Sequence, residues 1–335
     1  MRLKSLHPQP LLAGDDDELV DFILPTGCQP WATVRARTAE VRLLAWLPKF
    51  RGRIEALFET FGAVLFRGFS TVENSEFRDL VRKLDGDPME YRERSTPRTD
   101  LGGGLYTSTE YPAAEEIALH SEFSYANRWP GRIWFHCVLP ASSGGETLLA
   151  STRQIYESLA GPVRDLLEKH GIRYVRHYGL GIDLPWQEVF QTSDRTAVEA
   201  YCAAEQLGFA WLPSGRLQTW QDRPAMLRHP RHGWSVWFNQ AHLFHPSGLN
   251  ASVRQGLEVG SAGKQLPRMA ELGGGGELAD ETLAEVRRAI AGCTVPVPWC
   301  SGDTLLVDNM SMAHGRAPYI GARSVLVMLT SVVQR

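Results

Sequence analysis

The spacing of apolar and polar positions predicts two helices separated by a strand in the early part of the chain. Apolar residues recur every three to four positions in EVRLLAWLPKFRGRIEALFETFG, which predicts a helix that ends at Gly62. The next segment, AVLFRGF, is short and apolar, which is typical of a buried strand. STVENSEFRDLVRKL predicts a second helix, for which Asn74 and Ser75 are candidate N-caps.

Strand patterns dominate the second half of the chain. β-Branched and aromatic residues are dense in GRIWFHCVLP, WSVWFNQAHLF, GDTLLVDN and RSVLVMLTSVV. Helical patterns lie between them: STRQIYESLAGPVRDLLEKHG, broken near Gly161 and Pro162, and DETLAEVRRAIAG, which Gly292 ends. Strands decorated by outer helices predict a mainly β fold with helical insertions, built on a sandwich or barrel. We expect one domain over residues 1–335, with an irregular lead-in over residues 1–40.

Composition excludes several classes of protein. With 335 residues, 43% of them hydrophobic, the chain can bury a core that needs no disulfide or structural metal. The net charge of −3 and the lack of a basic run argue against nucleic acid or an anionic membrane as partner. No segment approaches the roughly 20 apolar residues of a membrane span. The five cysteines are widely spaced without a C-x-x-C, which favours a reducing, cytoplasmic location.

One short motif, ALHSEFSY, places His120 and Glu122 two positions apart. Given the numbers of histidines and acids, about one such pair is expected by chance, so the motif alone decides little. On an extended segment, side chains two positions apart point the same way. Two histidines and one carboxylate can bind one face of Fe(II) and leave positions for a chelating co-substrate and O₂. His314, in a turn between two predicted strands, would supply the second histidine.

A 2-oxoglutarate co-substrate adds a requirement that the sequence can be tested against. Its far carboxylate needs a buried cation, and the planar guanidinium of arginine suits it best. Arg323 stands at the start of the apolar strand SVLVML, and Thr147 in GGETLLAS could add a hydroxyl. Arg316 is a rival anchor, but its position beside His314 favours local contacts.

Three stretches resemble the TauD/TfdA superfamily of Fe(II)/2-oxoglutarate dioxygenases, and within it the clavaminate-synthase-like, SyrP-type hydroxylases. They are YTSTEYPAAEEIALHSEFSYANRWPGRIWFHCVLPASSGGETLLASTRQIYESL, VWFNQAHLFHPSGL and GDTLLVDNMSMAHGRAPYIGARSVLVML. The resemblance runs in order from about residue 60 to the C-terminus. It implies a double-stranded β-helix (jelly-roll) core. It also implies that His120, Glu122 and His314 bind iron, that Arg323 anchors 2-oxoglutarate, and that Thr147 assists.

The chain departs from the family pattern beside the motif. The family often reads His-Asn-Glu-Asn-Ser-Tyr, whereas Ser121 and Phe123 replace both asparagines here, and we expect both residues to shape the substrate pocket. Several relatives that bind acidic substrates have a second arginine where this chain has Val327. Halogenating relatives replace the carboxylate with a small residue, so Glu122 predicts oxygen chemistry. The identity of the substrate therefore does not carry over.

Two further residues are candidate substrate contacts. Asn239 is a polar residue in an apolar run, and its side chain could bond either the backbone or a ligand. Glu110 lies in TSTEYP, upstream of the motif.

The expected activity is oxidation, most simply hydroxylation, of an unactivated C–H bond in specialised metabolism such as antibiotic biosynthesis. The expected substrate is an amino acid or an amino-acid-derived intermediate, free or tethered to a carrier protein. The same cofactors, Fe(II), 2-oxoglutarate and O₂, would also serve desaturation, epoxidation or ring closure. A zinc hydrolase and a non-catalytic jelly-roll binding or regulatory protein are alternatives, since two histidines and a glutamate also suit Zn²⁺. The sequence gives no oligomeric state.

Overall fold

The computed structural model describes residues 19–70, 73–89, 99–108, 111–180, 184–249 and 266–335. Two strands lie where the sequence predicts an irregular lead-in, so that expectation is wrong for residues 20–23 and 32–36. The reason is long-range, because the second of these strands runs parallel to a buried strand at 63–67 and buries Val34 completely. A single domain over the whole chain stays a prediction.

The strands are short, with two long exceptions near the centre and the end of the chain. In chain order they are β1 (Val20–Ile23), β2 (Ala32–Ala36), β3 (Ala63–Arg67), β4 (Tyr106–Thr107), β5 (Ile117–His120), β6 (Arg128–Leu139), β7 (Ser143–Gly144), β8 (Thr147–Ser151), β9 (Ile172–Tyr178), β10 (Gly208–Trp211), β11 (Leu217–Arg223), β12 (Met226–Arg228), β13 (Ser235–Trp237), β14 (Arg268–Leu272), β15 (Val295–Val297), β16 (Thr304–Asp308), β17 (Met312–Arg316), β18 (Tyr319–Ile320) and β19 (Ser324–Gln334).

The described α-helices are α1 (Leu43–Trp46), α2 (Arg51–Phe61), α3 (Asn74–Asp85), α4 (Thr152–Ser158), α5 (Gly161–His170), α6 (Trp186–Val189), α7 (Arg195–Ala204), α8 (Ala241–Phe244) and α9 (Asp280–Cys293). Short 3-10 turns lie at Leu47–Phe50, Pro213–Gly215 and Pro246–Gly248.

Two mainly antiparallel sheets enclose the main core. The larger has the strand order β1-β2-β3-β16-β6-β19-β4, and the smaller has the order β15-β8-β17-β5. One cluster of buried residues joins the inner faces of both sheets, and it includes Phe135 of the larger and Leu149 of the smaller. The two candidate histidine ligands lie on the smaller sheet, in β5 and β17.

The larger sheet is covered on both faces, which explains why its strands read as continuous apolar runs. In β19, Val325 and Val327 belong to the core between the sheets. Leu326 and Met328 point the other way and join the cluster that α1, α2 and α3 cover. A strand that is apolar on both faces leaves room for a charged side chain only near its ends, where Arg323 stands.

A third sheet is inserted between β8 and β16. Its strand order is β10-β11-β9-β14. α6 and α7 pack on it around Trp186, Val198 and Leu217. The mainly β architecture with helical insertions, predicted from the sequence, is confirmed.

Most predicted elements are present, with differences at their ends. Gly62 ends α2 with a φ of 72° and donates its N–H to Phe58, as predicted. α3 begins one residue earlier than predicted, because Glu73 is the N-cap and forms a reciprocal capping box with Glu76. α9 continues through Gly292 to its end at Cys293. The aromatic run WSVWFNQAHLF is a strand only in β13, and α8 follows it.

Candidate metal centre

The two candidate histidines face each other across neighbouring strands. His120 is the last residue of β5 and lies opposite His314 of β17 in the antiparallel register. Their ring centroids are 4.6 Å apart. Because directly opposed residues of an antiparallel pair project on the same side of the sheet, strand pairing alone brings the two imidazoles together.

Glu122 completes the cluster. Its Oε2 atom lies 3.9 Å from Nε2 of His120 and 3.8 Å from Nε2 of His314. One ligand atom from each of the three residues lies within 4.8 Å of the other two. Two imidazole nitrogens and one carboxylate oxygen therefore converge on a single point, as they do in a metal site with three protein ligands on one face.

The backbone conformation of Glu122 differs from the one expected from the sequence. β5 ends at His120, and Glu122 lies in a turn rather than on an extended segment. A residue far away in the sequence, Asn309, holds its backbone. The N–H of Glu122 donates to Oδ1 of Asn309 at 2.7 Å, and its carbonyl accepts from Nδ2 of Asn309 at 2.8 Å. Sequence reasoning missed Asn309, although a buried-looking asparagine directly after the apolar strand TLLVD was a visible signal.

Hydrogen bonding orients one of the two imidazoles, that of His120, to act as a ligand. Nδ1 of His120 lies 2.9 Å from the carbonyl oxygen of Ala118. A nitrogen facing a carbonyl carries the hydrogen, so Nε2, which faces Glu122, keeps its lone pair. His314 is buried, and its Nδ1 has no hydrogen-bond partner among the described residues. Its Nε2 faces Glu122, so this is the nitrogen that is available to a shared ligand.

A cavity opens beside the two imidazoles. Its wall on one side is apolar: Ile117, Phe135, Val325 and Val327. Its polar lining is Ser108, Thr147, Arg316 and Arg323. Val327 thus lines the cavity at the position where some relatives have a second arginine.

Arg323 is a partly buried cation that lines this cavity. Its Nε donates to the carbonyl of Gly145 at 2.9 Å, and its Nη1 donates to the Ser108 hydroxyl at 3.3 Å. Burial, reinforced by the neighbouring charge of Arg316, lowers the pKa of Arg323 to about 10, so it remains charged at neutral pH. It forms no ion pair with any carboxylate in the described ranges. A buried charge without a counterion is costly, which favours an anionic ligand.

Thr147 lies at the start of β8, opposite Arg316 in the register with β17. The Nε1 atom of Trp299 donates to the Thr147 hydroxyl oxygen at 3.1 Å. Because an indole N–H can only donate, the threonine oxygen is the acceptor, and its own hydrogen is available for an anion in the cavity.

Arg316 makes the local contacts that the sequence favoured. Its Nη1 donates to the carbonyl of Tyr111 at 3.1 Å, and its Nη2 donates to those of Pro112 and Glu115 at 2.7 Å. Burial lowers its pKa. Arg316 thus fastens the segment before β5, whereas the guanidinium of Arg323 has fewer protein acceptors.

The remaining candidates lie in different surroundings. Ser121 and Phe123 are buried, Phe123 in the main core with a φ of 55°, and neither belongs to the described lining of the cavity. Asn239 follows the backbone alternative, because its Nδ2 donates to Ala225 at 2.7 Å and its Oδ1 accepts from Ala241 at 2.9 Å. Glu110 lies outside the described residues.

Comparison with known proteins identifies the family. The model of the family "Taurine catabolism dioxygenase TauD, TfdA family" matches residues 28–330. The chain belongs to the TauD/TfdA family. The family predicted from the three sequence stretches is confirmed, and the enzyme class is that of a dioxygenase.

Two curated TauD/TfdA relatives span most of this chain. The dapdiamide synthesis protein DdaC of Enterobacter agglomerans is 41% identical over 280 residues, which cover 84% of this chain and 85% of that protein. A clavaminate synthase-like protein of Arabidopsis thaliana is 29% identical over 287 residues, which cover 82% of this chain and 83% of that protein.

Solved structures of the TauD/TfdA type share the fold. PvcB of Pseudomonas aeruginosa has a TM-score of 0.56 at 17% identity, covering 97% of this chain and 94% of that one. A taurine dioxygenase of Burkholderia xenovorans has a TM-score of 0.53 at 16% identity, covering 94% of this chain and 91% of that one. At these identities the likeness concerns the fold alone, and it confirms the predicted jelly-roll core. No helix within the described ranges is long and apolar enough to span a membrane.

Proposed function

We propose that this TauD/TfdA protein is an Fe(II)- and 2-oxoglutarate-dependent oxygenase that oxidises an unactivated C–H bond, by hydroxylation, in a small amino-acid-like molecule. One observation carries the proposal. The partly buried Arg323, which has no described counterion, lines the same cavity as His120 and His314. A metal-binding cluster alone would also suit a hydrolase. A cation in the same cavity as the metal ligands is what a dicarboxylate co-substrate requires, because one of its ends chelates the metal and the other needs a positive charge.

The residues fit the group that they would hold. His120, His314 and Glu122 offer two nitrogens and one oxygen, a donor set that suits Fe(II) and leaves coordination positions for co-substrate and O₂. When bound, Fe(II) and 2-oxoglutarate supply the activation of O₂ that C–H oxidation needs. Glu122 occupies the carboxylate position, which favours oxygen chemistry over halogenation.

The chain's own contribution is placement and exclusion of water. Arg323 and the Thr147 hydroxyl would bind the far carboxylate of 2-oxoglutarate, while Ser108 and Gly145 hold the guanidinium in orientation. The apolar side chains of Phe135 and Val325 line the same cavity, and the exclusion of water by a bound substrate would strengthen the electrostatic contacts inside it.

The substrate class rests on the relatives. DdaC is by name a dapdiamide synthesis protein, and a PvcB structure is described as that of an Fe, alpha-ketoglutarate dependent oxygenase from an isonitrile synthetic pathway. Both names support a role in specialised metabolism, with an amino-acid-derived intermediate as substrate, presented free or on a carrier protein. The five cysteines are unpaired, which is compatible with the reducing cytoplasm that we propose as the location.

An anaerobic titration tests the proposal. Metal-free protein receives one equivalent of Fe(II) and then 2-oxoglutarate, and we expect a weak visible charge-transfer band that is absent in His314→Ala. Iron that binds without producing this band would overturn the assignment of 2-oxoglutarate. Hydrolytic activity with Zn²⁺ that persists in Arg323→Ala would favour the hydrolase instead.

The substrate class has a separate test. Formation of succinate is measured over a panel of amino acids, each offered free and loaded on a carrier protein. We expect one class to stimulate succinate formation well above the uncoupled background. No stimulation by any member of either class would contradict the proposed substrate.

A further inference from the structure

Asn309 joins the turn that carries Glu122 to the strand pair that carries His314. It follows β16 directly and is completely buried. Its Oδ1 accepts from the N–H of Glu122 at 2.7 Å, and its Nδ2 donates to the carbonyl of Glu122 at 2.8 Å. One side-chain amide thus pairs with both backbone groups of one residue, as a neighbouring strand would do.

The amide has no hydrogen left for another role. Its second N–H donates to the carbonyl of Pro130 at 2.9 Å, and the backbone N–H of Asn309 donates to Gly131 at 3.1 Å. These partners fix the orientation of the amide, because turning it over would set its oxygen against two carbonyls and its N–H groups against another N–H.

The turn on the other side of Asn309 is also fixed. Oδ1 of Asp308 accepts from the N–H groups of Met310 at 2.8 Å and Ser311 at 3.1 Å, and the Thr152 hydroxyl donates to the carbonyl of Met310. β17 begins immediately afterwards and carries His314. Because Glu122 itself lies outside any strand, Asn309 is a direct link between its backbone and the strand of the second histidine.

We propose that Asn309 is a positioning residue that sets the separation of Glu122 and His314 and thereby the affinity of the metal centre. The inference rests on the proposed function, because it concerns the same metal. Loss of the amide would remove the hydrogen bonds that Asn309 makes to both backbone groups of Glu122 and loosen the turn. Residues that orient metal ligands typically change metal affinity by about 10- to 100-fold. The anion site is not involved, since Thr147 lies on β8 and Arg323 directly precedes β19, and neither bonds Asn309.

The test compares Asn309→Ala and Asn309→Ser with the matched control Thr152→Val. The control removes a buried hydrogen bond to the same turn but touches no group of Glu122. Fe(II) affinity is measured anaerobically by chelator competition, 2-oxoglutarate affinity is measured at saturating metal, and the melting temperature is measured without metal.

We expect the Asn309 variants to bind Fe(II) about 10- to 100-fold more weakly. Their 2-oxoglutarate affinity should stay within about 3-fold of wild type, as expected for a site that they do not touch. Thr152→Val should lower the melting temperature and weaken Fe(II) binding less than the Asn309 variants do, because it touches only the turn before the strand of His314.

Each outcome has one interpretation. Folded Asn309 variants that bind Fe(II) as tightly as wild type, or no more weakly than Thr152→Val, overturn the inference. If Asn309→Ala does not fold, Asn309→Ser, which keeps an accepting oxygen, carries the test, and its failure to fold would make Asn309 a core residue only. If the Glu122→Ala variant binds Fe(II) as tightly as the wild-type protein, the metal centre itself would be overturned instead.

Discussion

The indole N–H of Trp299 donates to the hydroxyl oxygen of Thr147 at 3.1 Å, at the edge of the cavity that also contains Arg323. This bond fixes the polarity of the hydroxyl. With its oxygen already accepting from the indole, Thr147 has its own hydrogen available and can donate it to an anion or another acceptor in the cavity. Trp299 was not predicted from the sequence, because it lies in a loop just before the stretch GDTLLVDN and outside every motif.

Trp299→Phe should weaken 2-oxoglutarate binding without affecting the metal. The loss of one orienting hydrogen bond is worth about 1 kcal/mol, or about 5-fold in affinity. Thr147→Val should cost more, roughly 10- to 100-fold, because it removes a donor to a charged group. Anaerobic 2-oxoglutarate titration at saturating Fe(II) measures both. In a Thr147→Val background, Trp299→Phe should add nothing, and full additivity would refute the coupling.

Arg323→Ala should raise the 2-oxoglutarate requirement at least about 100-fold, because a charge-assisted bidentate contact is lost. Arg323→Lys keeps the charge but not the planar fork, so its effect should be intermediate. Arg316→Lys is the matched comparison, since Arg316 is engaged by three backbone carbonyls and should affect melting temperature more than 2-oxoglutarate affinity. The reverse ranking of the two arginines would make Arg316 the anchor.

The sequence predicted elements better than it predicted their ends. The apolar run around β19 is visible in sequence because both faces of that strand are buried. β1 and β2 have no such local signal, because β2 pairs with β3, which is distant in the chain, and β1 in turn pairs with β2. The N-cap of α3 was misplaced by one residue, since the sequence offered several polar candidates and only the structure shows the reciprocal bonds of Glu73.

The site shows the same division between local and distant signals. His120, Glu122 and His314 could be proposed from residue type, spacing and order, and the structure brings them together. The contact between Asn309 and Glu122 could not be predicted from the sequence, because the two residues are 187 positions apart in the chain. Phe123 was expected to shape the substrate pocket; it has a positive φ and lies among the residues of the main core, and its role in the pocket stays a prediction. Side-chain direction in a turn depends on backbone dihedrals that residue identity does not reveal.

The buried ion pair of Arg67 and Asp303 holds the loop that carries Trp299. Nε and Nη2 of Arg67 both bond the carboxylate of Asp303, and Nη2 also donates to the carbonyl of Pro298 at 2.6 Å. The Asp303 side chain is completely buried, and it also accepts from the N–H of Cys300 at 2.8 Å. The pair therefore closes both ends of the loop around Trp299.

Asp303→Asn should destabilise the fold by about 3–5 kcal/mol, because it leaves the Arg67 charge partly buried and unpaired. Asp222→Asn is the matched control, since its ion pair with Arg173 is half exposed and should contribute at most about 1 kcal/mol. Urea denaturation measures both free energies of unfolding. In Asp303→Asn, 2-oxoglutarate affinity should fall no further than in Trp299→Phe. Equal stability losses at the two ion pairs would contradict the assignment.

His242 should make stability depend on pH below neutrality. Its Nε2 donates to the carbonyl of Leu119 at 2.8 Å, and burial, together with the charge of Arg287, lowers its pKa from 6.5 to about 4. Because the unfolded chain takes up the proton first, the contribution of the neutral imidazole is present above about pH 6.5 and is lost as the pH falls towards 4.

The loss should approach about 3 kcal/mol by pH 4, since each unit of pKa shift corresponds to about 1.4 kcal/mol. His242→Gln, which keeps a donor for the carbonyl of Leu119 but cannot titrate, is the variant that isolates this effect. Urea unfolding of both metal-free proteins from pH 7 to pH 4 measures it. We expect the wild-type curve to fall more steeply than the variant curve below about pH 6.5 and to run parallel to it above that pH. Parallel curves throughout would show that the protonation of His242 does not differ between the folded and unfolded states.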